Sequence, residues 1–401
     1  MNIRDHLLWT VRKAPLRYLV VTLVFGAMTC NLLSITSNAA VLPEERADVL
    51  YHSYDGGGVT VDGPSVTVRK QVSDQWSISG NYYIDSVSSA SIDVVSSASP
   101  YSEERTQVSG GVDYLRGETM ISASITNSDE NDYTANTFTF DISQDMFGDL
   151  TNLSMGYSVG DDEVRENGNL TFKDDIDRQS YRLNFSQILT RDLIVGASYE
   201  VITDEGYLNN PYRRYRYLEP TAACGCGFEY ADEVYPRTRT SNAFTLRGDY
   251  YLPYRAALHG QYRFFNDTWG IDANSIEIGY TQPLSNKPIT FDLRYRYYTQ
   301  DQADFYSDAF NRVDEFNFLA RDKELSTFDS HTIGFGVSYK LFDNGWSIFD
   351  KGSVNFYYDK LLVNYDNFRD VTKNSDPTDA GNEPLYDLDA DIIRAYVSLW
   401  F

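Results

Sequence analysis

The chain has 401 residues, 15% of them aromatic, with 34 basic against 58 acidic side chains and a formal charge of −24. That acidity excludes a protein that grips nucleic acid through phosphate contacts, while the length suffices for one large or two ordinary domains. Beyond the first forty residues no long apolar run occurs, which excludes a later transmembrane helix.

Residues 1–39 read as an export signal. Arg4, Arg12, Lys13 and Arg17 form a basic start, "YLVVTLVFGAMT" (Tyr18 to Thr29) an apolar run, and "SNAA" (Ser37 to Ala40) a small-residue cleavage site after Ala39 or Ala40. A permanent membrane helix is the alternative, but the run is short for a span. Met28-Thr29 ahead of Cys30 fit a lipoprotein site poorly. Cleavage takes the balance from 34 basic and 58 acidic residues to 30 and 57, a formal −27. Residues 40–401 then form a single domain that keeps two cysteines, and export permits a disulfide between them.

Period-two alternation recurs along this domain. "ADVLYHSY" (Ala47 to Tyr54) leads into the turn "DGGG" (Asp55 to Gly58). In "NTFTFDIS", Phe138, Phe140 and Ile142 lie opposite Thr137, Thr139 and Asp141; "SYRLNFSQ" and "TIGFGVSYKL" behave likewise. In "ITFDLRYRYY", Ile289, Phe291, Leu293, Tyr295 and Tyr297 oppose Thr290, Asp292, Arg294, Arg296 and Tyr298. Such strands have one face in an apolar medium and one in water. A soluble sandwich also alternates. The nine-to-eleven-residue segments and the 32 tyrosines, many near segment ends, favour a membrane barrel.

The connections alternate in length. Short ones fall at 71–75, 115–117, 145–150, 189–192, 253–255, 284–288 and 342–352, and mostly longer polar ones at 86–104, 128–134, 160–177, 204–240, 266–274, 301–330 and 363–388. This predicts an all-β, antiparallel outer-membrane β-barrel of sixteen strands, fourteen as the fallback, with short periplasmic turns and long extracellular loops. At the end, "ADIIRAYVSLWF" places Ile393, Ala395, Val397, Leu399 and terminal Phe401 on one face. Ile393, Val397, Leu399 and Phe401 resemble the signal read by the bacterial barrel-assembly machinery, so deleting Phe401 is expected to impair assembly.

"LPEERADVLYHSYDGGGVTVDGPSVTVRK" (Leu42 to Lys70), "VSSASIDVVSSASPYSEER" (Val87 to Arg105) and "CGCGFEYADEVYPRTRTSNAF" (Cys224 to Phe244) resemble an uncharacterised, domain-of-unknown-function family of Gram-negative outer-membrane proteins bearing a CGCG loop motif. The resemblance covers essentially the whole exported domain. It implies a barrel among outer-membrane lipid and lipopolysaccharide. It also implies a redox or assembly context with a periplasmic redox protein or small lipoprotein as partner, because thioredoxin-like proteins, small lipoproteins and flavin-transferring enzymes accompany relatives. It supplies no reaction.

Cys224-Gly225-Cys226 falls in the longest extracellular connection. The readings are a disulfide staple, labile for closing so small a ring, thiol exchange, or a metal clip. None of His52, His259 and His331 stands at zinc-finger spacing from the thiols, and two thiolates alone could hold Cu(I). In "YRRYRYLEP" (Tyr212 to Pro220), Arg213, Arg214 and Arg216 alternate with tyrosines; the expectation is a loop folded into the lumen and paired with inward carboxylates. The acidic run Asp161 to Asp177 lacks the full EF-hand pattern and reads as a solvated loop, with calcium or lipopolysaccharide bridging as alternatives. The twin "VSSAS" segments (Val87–Ser91 and Val95–Ser99) read as a flexible loop or a constriction lining.

Inward-facing charges are expected at Arg69, Asp85, Asp113, Asp141, Glu200, Asp249, Glu277 and Lys340, and at Arg182, Arg247, Arg263, Asp292, Arg294, Arg296 and Arg394. Those last seven are the candidate lumen charges. They require a wet or densely paired interior, and mixed signs point to ion-pair networks. No nucleophile–base arrangement and no cofactor motif is readable, so neither enzyme nor cofactor is expected. Two readings compete: a pore or transport channel with a partly loop-filled lumen, and a surface barrel that holds a partner or does thiol or metal chemistry at Cys224 and Cys226.

Overall fold

Eleven residue pairs, from Arg46 with Trp400 to Gly56 with Ala390, join the first strand to the last and close the sheet. Closure removes both edges, so no strand is left with unpaired backbone groups in an apolar medium. The computed structural model describes residues 41–89, 101–342 and 345–401. The expected export signal and the middle of the serine-rich segment lie outside these residues.

Strands β1 to β5 span Arg46–Gly56, Val59–Ser73, Trp76–Ser89, Tyr101–Arg116 and Thr119–Asp129. Strands β6 to β9 span Tyr133–Met146, Thr151–Glu166, Asn169–Thr190 and Leu193–Gly206. A two-stranded ribbon follows, β10 (Arg214–Leu218) and β11 (Phe228–Asp232). Strands β12 to β15 span Thr238–Tyr251, Ala257–Asp267, Asp272–Pro283 and Ile289–Gln300. Strands β16 to β18 span Phe328–Phe342, Lys351–Arg369 and Leu385–Trp400. All but β10 and β11 pair antiparallel, in chain order, in one closed barrel of sixteen strands.

The chemistry of alternation explains the closure. Val66, Val68, Ile125, Ile278, Leu293, Ile333 and Phe335 are all exposed on the outer face, with Ile125 at 65%. An apolar belt of this extent is stable only against lipid. Phe147, Tyr254, Trp346 and Ile348 project from the turns at the end where β1 begins and β18 ends, where aromatic residues favour the lipid–water boundary.

Several connections are shorter than expected. β7 and β8 run on to Glu166 and from Asn169, pairing Asp161 with Asp177, so the acidic run is an extended hairpin and not a loop. Cross-strand pairing of alternating charges accounts for this: Lys173 meets Glu163 at 2.8 Å and Arg178 meets Asp162 at 2.9 Å. Likewise β17 reaches Arg369, well past position 363. The β1–β2 turn narrows to Gly57 and Gly58, both at positive φ (58° and 76°), as a tight two-residue hairpin demands.

Candidate functional site

The seven candidate lumen residues alternate along their strands with exposed apolar or aromatic side chains such as Leu183, Leu246, Leu293 and Ile393. Arg294 on β15 and Arg394 on β18 converge on the buried carboxylate of Asp359 on β17, at 2.7 and 2.8 Å. Gly334 makes this meeting possible, because a Cβ there would stand 2.1 Å from an Asp359 oxygen. Arg182 approaches Asp141 at 3.5 Å and Arg263 approaches Glu200 at 3.5 Å. Arg247 lies 3.6 Å from Asp249, which also holds His259 at 2.7 Å. Asp292 accepts hydrogen bonds from Thr281 and Tyr357. Arg296 lies over the Tyr298 ring, and like Asp292 it has no ion pair among the described residues. The seven do not gather in one place; they line the wall as separate pairs.

These side chains are also wet. Arg182 is 42% exposed and Arg247 56% exposed. Sixteen strands enclose more space than their own side chains fill.

The mouth opposite the start of β1 and the end of β18 is roofed. Connections 207–237 and 301–327 fold onto one another through isolated pairings of Tyr217 with Phe310 and Val234 with Leu319, and connection 370–384 joins them through Glu383 and Asn374. Tyr215, Phe310 and Leu319 form one apolar core, and Tyr235, Ala303, Tyr306, Ala320 and Leu325 another. The second core also takes in Trp269, Ile271 and Ala273 from the β13–β14 hairpin, which fastens the roof to that wall. On the opposite side Tyr212 donates its hydroxyl to Asp132 at the β5–β6 turn, and the same oxygen accepts the Asn167 N–H at 2.7 Å.

Arg216 sits at the centre, fully buried. It binds both oxygens of Glu383 at 2.7 and 2.9 Å, and binds Asp308. The expected pairing of this arginine-rich segment with strand carboxylates is therefore corrected, since the partners of Arg213 and Arg216 come from other connections. Arg213 likewise meets Asp322 at 3.1 Å. Burial opposes ionisation of Glu383, yet its hydrogen bond from Arg216 and that residue's charge hold its carboxyl below the ordinary value. Glu233 shows the reverse. Burial first, then the charge of Asp322, pushes it up to about 7, against hydrogen bonds from Tyr235 and the Arg321 N–H.

Cys224 and Cys226 are joined by a disulfide in the roof; Cys224 is exposed and Cys226 half-buried. The Cys226 carbonyl accepts from Asn374 at 3.3 Å, and Asn374 also donates to Glu383 at 3.1 Å. Gly227, at φ +82°, lets this loop pass against Pro377.

Beneath the roof lies a cavity of about 1080 Å³, bounded by strand ends from β4 round to β15. Glu103, Glu130 and Asp132 line one side, and Arg263 and Arg296 another. Sequence reasoning overlooked Glu383, Asp308, Glu233 and the tyrosine contact to Asp132. Each is an ordinary polar residue in a connection, and its partner lies far away in the chain.

The architecture defines an outer-membrane-type β-barrel with a charged lumen. Within that class, the chain belongs to the family described as Protein of unknown function (DUF3570), whose profile matches residues 21–361. No curated protein matches its sequence. Among solved structures it is similar to a bacterial polysaccharide outer membrane secretin, at 8% identity and TM-score 0.45, covering 90% of this chain and 100% of that one. It is also similar to OmpT, an outer-membrane protein of Vibrio cholerae, at 11% identity and TM-score 0.42, covering 92% and 99% of the two chains. A third is the siderophore receptor PirA from Pseudomonas aeruginosa, at 8% identity and TM-score 0.41. That match covers 83% of this chain and spans 60% of the receptor's length.

Proposed function

We propose that the protein is an outer-membrane channel of a Gram-negative cell, delivered by a cleaved export signal and accepted by the barrel-assembly machinery. Its short turns face the periplasm, and its roof faces the lipopolysaccharide and the exterior. The observation that carries this reading is a barrel whose charged side chains, such as Arg182 and Arg247, stay accessible beneath a roof of connections over one mouth. Solute passes beneath the roof, along the side where Tyr212 makes its crossing to Asp132.

Conductance of the refolded chain in a planar lipid bilayer tests this. Wild type should give small, steady steps, and Tyr212→Ala, which removes the crossing, should enlarge them or prolong their opening. Silence from both folded proteins would defeat the channel reading.

A second reading rests on the exposure of Cys224 at the outer surface. In it the disulfide loop engages a thiol-bearing or redox partner such as a small lipoprotein. Replacing both cysteines with serine should then abolish capture of that partner, and unchanged capture would remove the idea.

A further inference from the structure

Both signs of charge line the cavity beneath the roof, and its arginines are largely engaged by carboxylates already. Arg178 meets Asp162 at 2.9 Å, Arg213 meets Asp322 at 3.1 Å and Arg239 meets Asp267 at 2.6 Å. An ion that enters must compete with a partner in place. Such a lining sorts solutes by hydrogen bonding and shape more than by charge.

One stretch of the lining keeps an open hydrogen-bonding position. Glu103 on β4 and the β5–β6 turn residues Glu130 and Asp132 bring carboxylate oxygens within 4.8 Å of one another. Asp132 accepts the Tyr212 hydroxyl, and Glu130 stands 3.9 Å from Arg105. Glu103 Oε1 is buried and has no hydrogen-bond partner among the described residues. A buried acceptor left open in this way calls for a donor from outside the chain.

Two tyrosine rings stand beside these carboxylates. Tyr212 is 40% exposed, and its hydroxyl is held between Asp132 and the Asn167 N–H. Tyr133 follows Asp132 in the chain; its hydroxyl donates to Asp162 and accepts from Arg178 at 3.1 Å. With the hydroxyls tied on two sides, each ring offers a fixed apolar body next to polar groups. All of these residues except Asp162 and Arg105 line the cavity.

Open carboxylate acceptors beside fixed aromatic rings match one class of solute. A sugar has an apolar C–H face to lay on a tyrosine and a rim of hydroxyls that donate as well as accept. Those hydroxyls reach the open oxygen of Glu103 without displacing an ion pair. A metal ion at the same place would also face the charge of Arg105. The cavity, at about 1080 Å³, exceeds the ~300–1,000 Å³ of sites that enclose drug-sized ligands, so a disaccharide is accommodated with water around it.

We propose that this cavity binds a neutral saccharide of disaccharide size, with hydroxyls on Glu103 and Glu130 and one ring face against Tyr212. The sugar's passage rests on the channel reading, and the proposal names the solute class that the channel admits; the binding itself is read separately.

The test is isothermal titration of the full refolded chain, in a detergent without a sugar headgroup, with maltose, cellobiose and melibiose in turn. At least one should bind saturably, and its affinity should change less than about twofold between low and high salt, because no ion pair is made. Glu103→Ala should weaken that binding about tenfold through loss of a charged acceptor. Tyr212→Ala should weaken it too, with heat-modifiable gel mobility confirming a folded barrel in both variants. Failure of all three sugars to bind the folded wild type, or binding undiminished in both folded variants, overturns the saccharide site and leaves the channel standing. Saturable binding lost in both variants, in a barrel that never conducts, upholds the site and defeats the channel.

Discussion

Arg216 and Glu383 stand 167 positions apart in the chain and meet as a two-pronged ion pair, at 2.7 and 2.9 Å, with neither side chain reaching solvent. The pair locks connection 207–237 to connection 370–384, and Asp308 brings in connection 301–327. Breaking one half of a buried pair leaves the other charged and uncompensated, which costs more than the intact pair contributes.

Arg216→Ala should therefore destabilise the roof by about 3–5 kcal/mol while the barrel persists. Hydrogen exchange should rise across all three connections together, and heat-modifiable mobility should stay normal. Loss confined to connection 207–237 would show that the three do not act as a unit.

Glu233 gives the roof a pH dependence whose sign follows from its raised value. Between its ordinary 4.5 and about 7, the folded roof binds a proton that the unfolded chain releases. The stabilising contribution is fully present below the unfolded value and is lost as pH rises through about 7. Exchange protection of the roof, corrected for intrinsic rate, should be greater at the acidic end of this window, and Glu233→Gln should flatten the difference. A wild-type profile already flat would contradict the assignment.

Asp359 neutralises two arginines at once. Asp359→Asn leaves Arg294 and Arg394 facing each other across the lumen wall, each already more than a third exposed and so partly screened by water. The expected loss is about 1–2 kcal/mol in urea unfolding, together with a shift of conductance toward anions.

Phe140 and Asp141 are neighbours on opposite faces of β6. Phe140→Arg should destabilise the barrel by about 2–4 kcal/mol, because a guanidinium would face lipid. Asp141→Ala should cost less than about 1 kcal/mol, since its contact with Arg182 is 3.5 Å long and half in water. Equal stability of the two variants in refolding titrations would mean the faces are assigned wrongly.

The barrel could be read from sequence because each strand carries its own evidence. Phe138 and Phe140 alternating with Thr137 and Thr139 describe a local fact about which medium each side chain meets, and β6 satisfies it wherever its neighbours come from. The error over Asp161 to Asp177 has a physical cause too. Charge was taken as a mark of loop, whereas Lys173 and Glu163 hold a strand together above the apolar belt.

The roof was not readable in this way. Arg213, Arg214 and Arg216 stood out in the sequence as a charged, tyrosine-rich stretch, but nothing near them indicated Asp322, Asp308 or Glu383 as partners. The spacing of Cys224 and Cys226 drew attention to them but left staple, exchange and metal readings open; the structure joins them and sets them beside Asn374.

By itself, then, the sequence determined a closed antiparallel barrel of about sixteen alternating strands and which of its connections are short. These follow from a two-residue period and from connection length, both local properties of the chain. Only the tertiary structure decided that three connections close over one mouth and that Arg216 is their shared anchor. Those depend on where the closed ring places residues far apart in sequence, and no local pattern of side chains encodes that placement.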